Sequence, residues 1–293
     1  MHVLLTNDDS HTSPLFHFLI DQLRPMAQLT IVVPMEEQSW TGKAITRFGY
    51  LYMEAIRLGD VEAYCVDGTP ADCINLGLHH VTPRKPDLVV SGINIGINAG
   101  LGFVLSSGTV GACLEANLAG VPAIALSQSL SPATFQQWGR ERRFPPEERE
   151  RLRLQTQTLL ARVFDHLLGR DDFWHRPVTW NVNLPEQAAP NWRLVPARLG
   201  HTTYGSCFKR YGDRFQHEIE RLCEDPPRRN RQPGGTAGPR EPDLYRRVGA
   251  RAKPRLSRFL RQGGRGEKRR RGAARRARDH STPAAGSRCR PRG

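Results

Sequence analysis

Along the first half of the chain, apolar and polar positions come in blocks whose period switches between strand and helix. Val3, Leu4 and Leu5 form a short apolar run, and Thr6-Asn7-Asp8-Asp9-Ser10 follows at once. A run of that length, bounded by small polar residues, predicts a buried strand ending in a turn. Leu15, Phe16, Leu19, Ile20 and Leu23 then recur at helical spacing and predict a helix over 14–23. Leu29 to Pro34 is rich in β-branched residues and closed by proline, a second strand. After the polar loop Met35 to Gly42, strand patterns are expected near 50–56 and 62–66. The turn Asp67-Gly68-Thr69-Pro70 leads into a helix whose inward face includes Ala71, Ile74 and Leu78.

Pro86 to Gly92 repeats the motif of a buried strand closed by a small polar turn. The glycine-rich stretch Gly92 to Gly102 implies a backbone that turns tightly or approaches a ligand closely. Ser106 to Ala112 opens a helix that runs through Leu118 and is stopped by Gly120 and Pro122. Residues 123–127 form another buried strand, and 130–148 read as a polar, proline-bearing excursion without an element. A helix over 149–168 turns Leu152, Leu159, Leu160, Val163 and Leu167 inward, and a strand follows over 178–185. Residues 192–220 mix short strand signals with turns. This alternation predicts an α/β protein, a Rossmann-like three-layer sandwich with a mostly parallel sheet, plus a smaller C-terminal β-containing part.

Charge divides the chain in a way the periodicity does not. The formal net charge is +14 over 293 residues, but residues 226–293 hold 22 Lys/Arg and only 4 Asp/Glu. Residues 1–225 keep 21 basic and 25 acidic residues, a net of −4. The expected division is therefore a folded domain over 1–225, with its clearest motifs in 1–127, and a basic Pro/Gly/Arg-rich tail over 226–293. The tail has no periodic apolar pattern and is expected to be disordered. Runs such as Lys268-Arg269-Arg270-Arg271 suit a nucleic-acid-binding arm. The rival reading is a solvated tail without a role, or the product of a shifted reading frame.

The six cysteines form no C-x-x-C pair and no zinc-finger spacing. No apolar run approaches the ~20 residues that span a bilayer, and no secretory signal stands at the N-terminus. The chain reads as cytoplasmic, with no membrane partner.

Candidate chemistry sits in the polar turns. Adjacent carboxylates such as Asp8 and Asp9 repel unless a cation or a proton lies between them. Hard oxygen ligands suit Mg²⁺, Mn²⁺ or Ca²⁺ better than zinc. In an open parallel sheet such turns converge beyond the carboxyl ends of the strands. Asp8 and Asp9 would then supply charge for a divalent metal, with the Ser39 hydroxyl and the Asn94 amide oxygen as neutral ligands. Ser107-Gly108-Thr109, at a helix N-terminus, favours an anion. A cation facing an anion cradle is what phosphate-ester hydrolysis needs. Each piece has a plainer reading: helix caps at Asp8, Asp9, Ser107 and Thr109, and an ordinary loop hydroxyl at Ser39.

Taken together, these residues resemble the SurE family, stationary-phase survival proteins that act as metal-dependent nucleotidases. The resemblance runs clearly from Met1 to about Ser127 and more weakly through Asn181-Val182-Asn183-Leu184-Pro185. It rests on Asn7-Asp8-Asp9, Ser39, Gly68-Thr69-Pro70-Ala71-Asp72-Cys73, Ser91 to Asn98, and Ser107 to Val110. It implies hydrolysis of nucleoside monophosphates at the 5′ or 3′ position, with one Mg²⁺ or Mn²⁺ per subunit held by Asp8, Asp9, Ser39 and Asn94. Asn98 would orient a phosphoryl oxygen or water, and Ser107, Gly108 and Thr109 would grip the phosphate. The attacking group is left open between water and an aspartate, with water favoured. A homodimer or homotetramer is implied if the C-terminal part folds. Three positions depart from the family pattern: Ser10 and Leu15 stand where glycines are usual, and Ser106 where a tyrosine is usual. The alternative function is nucleotide or nucleic-acid binding without turnover, using the basic tail.

Overall fold

The computed structural model describes residues 1–202 and 205–217, so the basic tail lies outside the described residues. The chain opens with β1 (His2–Thr6), α1 (Pro14–Leu23) and β2 (Gln28–Pro34), then the hairpin β3 (Met53–Leu58) and β4 (Val61–Val66). Next come α2 (Pro70–Leu76), β5 (Leu88–Ile95), α3 (Leu101–Ser106), α4 (Gly108–Leu118) and β6 (Ala123–Gln128). The series ends with α5 (Pro132–Glu141), α6 (Pro146–Leu168), β7 (Thr179–Leu184), β8 (Phe208–Tyr211) and β9 (Arg214–His217).

Seven strands form one sheet in the order β3-β4-β2-β1-β5-β6-β7, and only the β3–β4 pair is antiparallel. Strands buried on both faces need apolar side chains at every position, which is why β1, β2 and β5 read as continuous runs. Val3, Leu5, Ile31, Val33, Leu88 and Val90 share one core with Leu15, Phe16 and Leu19 of α1 and Leu160 and Phe164 of α6. Leu4, Val32 and Val89 share the other with Cys73 and Ile74 of α2 and Val110 and Cys113 of α4. A helix layer therefore covers each face, the expected three-layer sandwich. Each Leu, Ile or Phe sealed in this way contributes roughly 2 kcal/mol. Among the described residues no helix is long and apolar enough to cross a membrane.

The short antiparallel pair β8–β9 supplies the expected C-terminal β part. Other expectations need correction. The strand near 50–56 begins only at Met53 and runs to Leu58. Helix α2 ends at Leu76, so Leu78 reaches the core from a single wide turn, Gly77–Val81. The excursion over 130–148 contains a helix, α5, started by Ser131, whose hydroxyl accepts the Thr134 N–H at 3.2 Å. Strand β5 does not stop at Gly92 but continues past a bulge to Ile95. Ser106, expected to open the helix through Leu118, instead ends a preceding helix, α3, and Ser107 joins the two.

The topology fixes where a ligand can sit. From β1 the chain passes through α1 to β2 on one side, and from β5 through α4 to β6 on the other. The crevice outside the carboxyl ends of β1 and β5 is the switch point of the sheet. Asp8, Asp9 and Asn94 lie there.

Candidate active site

The turn after β1 is fastened from three directions. Ser10, with φ +68, donates its hydroxyl to the Met35 carbonyl at 3.1 Å. The Gln38 N–H donates to the Asp8 carbonyl oxygen at 2.8 Å, which ties the loop after β2 to the same turn. Asp9 Oδ2 accepts the Ile95 N–H at 2.8 Å, reaching across to the end of β5. Asp8 is bound on both oxygens by Thr109 in the first turn of α4: Oδ1 takes the hydroxyl at 2.8 Å and Oδ2 the N–H at 3.2 Å. Gly108 makes that approach possible, since a Cβ there would lie 3.0 Å from Asp8 Cβ and 3.0 Å from the Gln38 carbonyl oxygen.

Both carboxyls pay electrostatically for this position. Loss of water pushes Asp8 up to about 6, against the downward pull of Thr109's hydrogen bonds. Burial, and then the neighbouring Asp8, hold Asp9 well above the usual carboxylate range. Glu37 adds to the strain on both, and Arg142 partly relieves Asp9. Among the described residues neither carboxylate forms an ion pair. A divalent cation fits this pair, because it would offset the charge that burial makes costly. Among the described residues no three His, Cys, Asp or Glu side chains gather as metal ligands. Two carboxylates with neutral oxygens around them suit a hard cation, not zinc.

The bulge in β5 places the neutral donors. Gly92 has φ +124, and a Cβ there would collide with the Leu126 carbonyl of β6. Bulges of this kind re-aim the side chains that follow. Asn94 comes to lie in register with Ser127, its Nδ2 3.5 Å from Ser127 Oγ. Asn98 is buried and donates Nδ2–H to the same Ser127 oxygen at 2.8 Å. Its peptide is gripped by β7: the N–H donates to Asn183 Oδ1 at 2.8 Å, and the carbonyl accepts from Asn181 Nδ2 at 2.7 Å and Asn183 Nδ2 at 3.2 Å. The sequence reading did not single out Ser127, Asn181 or Asn183 for this work. The one signal for the two asparagines is their spacing of two along a strand, which puts them on one face.

Two candidates are placed differently from the rest. Ser39 is exposed on the rim, and its hydroxyl donates to Glu37 Oε1 at 2.8 Å instead of turning toward Asp8 and Asp9. Glu37 in turn accepts from Arg142 Nη1 at 2.9 Å. Ser107 caps α4 by accepting the Val110 N–H at 3.1 Å, which leaves its own hydroxyl hydrogen to donate. The structure thus brings Asp8, Gly108 and Thr109 into direct contact, while Asp9 meets the backbone of Ile95 at the end of β5. Asn94 and Asn98 are joined to one another through Ser127.

A family profile described as "Survival protein SurE" matches residues 3–206. The chain is similar to the 5′-nucleotidase SurE of Pelobacter propionicus, 46% identical over 127 residues that cover 43% of this chain and 50% of that protein. In that match it spans about half the relative's length. It is 36% identical over 210 residues to the 5′-nucleotidase SurE of Methanocella arvoryzae, covering 69% of this chain and 73% of that one. The corresponding protein of Methanopyrus kandleri is 34% identical over 239 residues, covering 78% and 84%. The crystal structure of the SurE protein from Aquifex aeolicus shares the fold with a TM-score of 0.56 at 29% identity, covering 72% of this chain and 77% of that one. With a profile that takes in every strand from β1 to β7, and relatives of this identity and coverage, the chain belongs to the SurE family.

Proposed function

We propose that this chain is a metal-dependent phosphomonoesterase that hydrolyses nucleoside 5′- or 3′-monophosphates to nucleoside and phosphate. The observation that carries this reading is the adjacent pair of a buried Asp8 and a half-buried Asp9 at the switch point of the sheet, with Asp8 held against the N-terminus of α4 and Asp9 against the end of β5. The names of the curated relatives, 5′-nucleotidase SurE, support the reaction class. In this reading Asp8, Asp9 and Asn94 hold one Mg²⁺ or Mn²⁺ per subunit, and Ser39 joins them by turning its hydroxyl away from Glu37. The cation, when bound, neutralises phosphoryl oxygens and lowers the pKa of water. The chain's own groups do the rest. Ser107 donates its free hydroxyl hydrogen, and the first turn of α4 around Gly108 offers N–H dipoles to the phosphate. Asn98, fixed by Ser127 and β7, orients a phosphoryl oxygen or the attacking water. Thr109 holds Asp8 in place more directly than it grips phosphate.

We further propose residues 1–225 as the catalytic domain and 226–293 as an appended tail. Free thiols at Cys65, Cys73 and Cys113 support a reducing compartment such as the cytoplasm. Exposed Phe48, Tyr50 and Tyr52 suit a contact between copies of the chain in a dimer or tetramer.

The test is phosphate release across a panel of nucleoside monophosphates, with and without Mn²⁺, in the wild type and in Asp9→Asn. The asparagine can still accept the Ile95 N–H but lacks the charge. Release only with Mn²⁺, lost in Asp9→Asn, is expected. Full release in EDTA, or from Asp9→Asn, would overturn the assignment.

A further inference from the structure

Arg142 closes helix α5 with a left-handed backbone, φ +51, at a position where glycine or asparagine is the usual terminator. Its side chain is 60% exposed, yet two neighbours fix it. The guanidinium lies over the Trp138 ring, 5.7 Å from the centroid, and Nη1 donates to Glu37 Oε2 at 2.9 Å. Trp138 is itself buried and packs on Phe144 with centroids 5.3 Å apart, so the platform beneath the cation is firm. Among the described residues, Nε and Nη2 form no hydrogen bond. Those two N–H groups make one edge of the guanidinium fork, the geometry that meets two oxygens of a phosphate at once. Holding Glu37 takes only Nη1 and leaves this edge unused.

The guanidinium stands at the mouth of the candidate site. Its partner Glu37 precedes Gln38, whose N–H is fastened to the Asp8 carbonyl oxygen at 2.8 Å. The charge of Glu37 acts on both Asp8 and Asp9. Burial, and then Asp8, push the Asp9 carboxyl up, and Arg142 pulls it back down, so its field reaches the carboxylates too. A divalent cation offsets the two aspartates, and Glu37 and a phosphate dianion are left over. Lys43, a basic residue of the same loop, is committed to Glu115 at 2.6 Å. Arg142 is therefore the cation placed to meet the incoming anion.

We infer that Arg142 is a further substrate-binding residue, which keeps Nη1 on Glu37 and presents Nε–H and Nη2–H to the phosphate of the nucleotide. The inference rests on the nucleotidase reading and assigns phosphate capture at the rim to a residue outside the strand-ending turns. The experiment uses the full chain as wild type, Arg142→Gln, Arg142→Lys and Glu37→Gln. Calorimetry titrates Mn²⁺ into the metal-free protein, then inorganic phosphate into the Mn²⁺-loaded protein, and KM and kcat are measured for AMP. In Arg142→Gln, phosphate affinity should fall about tenfold or more, and the KM for AMP should rise with it. Mn²⁺ affinity should stay level or rise, because a repelling cation has gone. Arg142→Lys keeps the charge without the fork and should fall between. Glu37→Gln should keep or tighten phosphate binding, since it removes an anion and leaves the guanidinium in place.

A residue that only braced the loop would behave differently. Arg142→Gln would then lose Mn²⁺ and phosphate affinity together, and Glu37→Gln would copy it. Either result overturns the inference, as does an unchanged phosphate affinity in Arg142→Gln, or a wild type that binds no phosphate. If the wild type binds phosphate but releases none from AMP, the nucleotidase reading falls, and the phosphate titration still decides the role of Arg142.

Discussion

Thr109 gives Asp8 two hydrogen bonds, one from its hydroxyl at 2.8 Å and one from its backbone N–H at 3.2 Å, so a single residue of α4 orients both carboxylate oxygens. The backbone bond is independent of the side chain, which makes the hydroxyl separable by mutation. Thr109→Val keeps the shape and removes one bond to a charged group, worth about 1.5–3 kcal/mol. Calorimetric titration with Mn²⁺ should show affinity reduced about tenfold or more, and Thr109→Ser should stay near wild type. Equal affinity in all three proteins would mean that the helix N–H alone holds Asp8.

The charge on Asp8 makes stability depend on pH in a direction that can be worked out. Its folded value, about 6, lies above the ordinary carboxylate value, so the folded chain binds the proton more tightly than the unfolded one. That stability is complete below about pH 4 and is lost as pH rises through 6. For Asp8 the loss is on the order of 3 kcal/mol, and Asp9 adds to it in the same direction. Urea unfolding of the metal-free protein should therefore show a lower midpoint at pH 8 than at pH 5, and Mn²⁺ should raise the midpoint far more at pH 8. Asp8→Asn should remove the share of the loss that belongs to Asp8 and leave the part that burial imposes on Asp9. A metal-free midpoint that rose toward pH 8 in the wild type and not in Asp8→Asn would contradict the burial of this charge.

Much of this fold is legible in the sequence for a physical reason. Strands β1, β2 and β5 are buried on both faces and α1 carries a wide apolar stripe, so local periodicity reports them. Helix α5 buries only Thr134 and Trp138, and α3 buries no residue, so neither leaves a stripe to read. Strand β3 is an exposed edge whose polar faces blur its start. The candidate site divides in the same way. Asp8, Asp9, Asn94 and Ser107 announce themselves by type and by position at turns. The pairings that support them do not: Thr109 is legible as a phosphate-loop residue, but it meets Asp8 across 101 residues, and Asn183 meets Asn98 across 85. No local pattern encodes a pairing at that range.

Ser10 tests whether the turn after β1 was built for glycine, the residue usual there in the family that the motif resembles. Its φ of +68 costs a non-glycine residue roughly 1 kcal/mol, and its hydroxyl partly offsets that through the bond to Met35. Ser10→Ala removes the bond and keeps the strain, so it should lose about 1 kcal/mol. Ser10→Gly removes both and should be more stable than Ser10→Ala by about 1 kcal/mol. Denaturant unfolding measures the gap, and an alanine variant as stable as the glycine one would show that the left-handed backbone costs nothing here.

Asn183 offers the sharpest separation of positioning from metal binding. Its amide pairs with the Asn98 peptide as a second backbone would, accepting the N–H at 2.8 Å and donating to the carbonyl at 3.2 Å. Asn181 reinforces only the carbonyl side. Asn183→Leu keeps much of the volume and deletes both bonds, leaving the Asn98 loop attached to the sheet through Asn181 and Ser127. Small misplacements of a group that orients the reacting atoms are costly to turnover, whereas Asp8 and Asp9 are fastened by other elements. The expected result is a kcat about tenfold lower with Mn²⁺ affinity within about twofold, because no bond to either carboxylate has changed. Asn183→Asp should be worse than Asn183→Leu, since it sets a carboxylate oxygen against the Asn98 carbonyl. If kcat and metal affinity fell together, Asn183 would be a general support of the fold. If neither moved, Asn181 and Ser127 together would suffice to hold Asn98 in place.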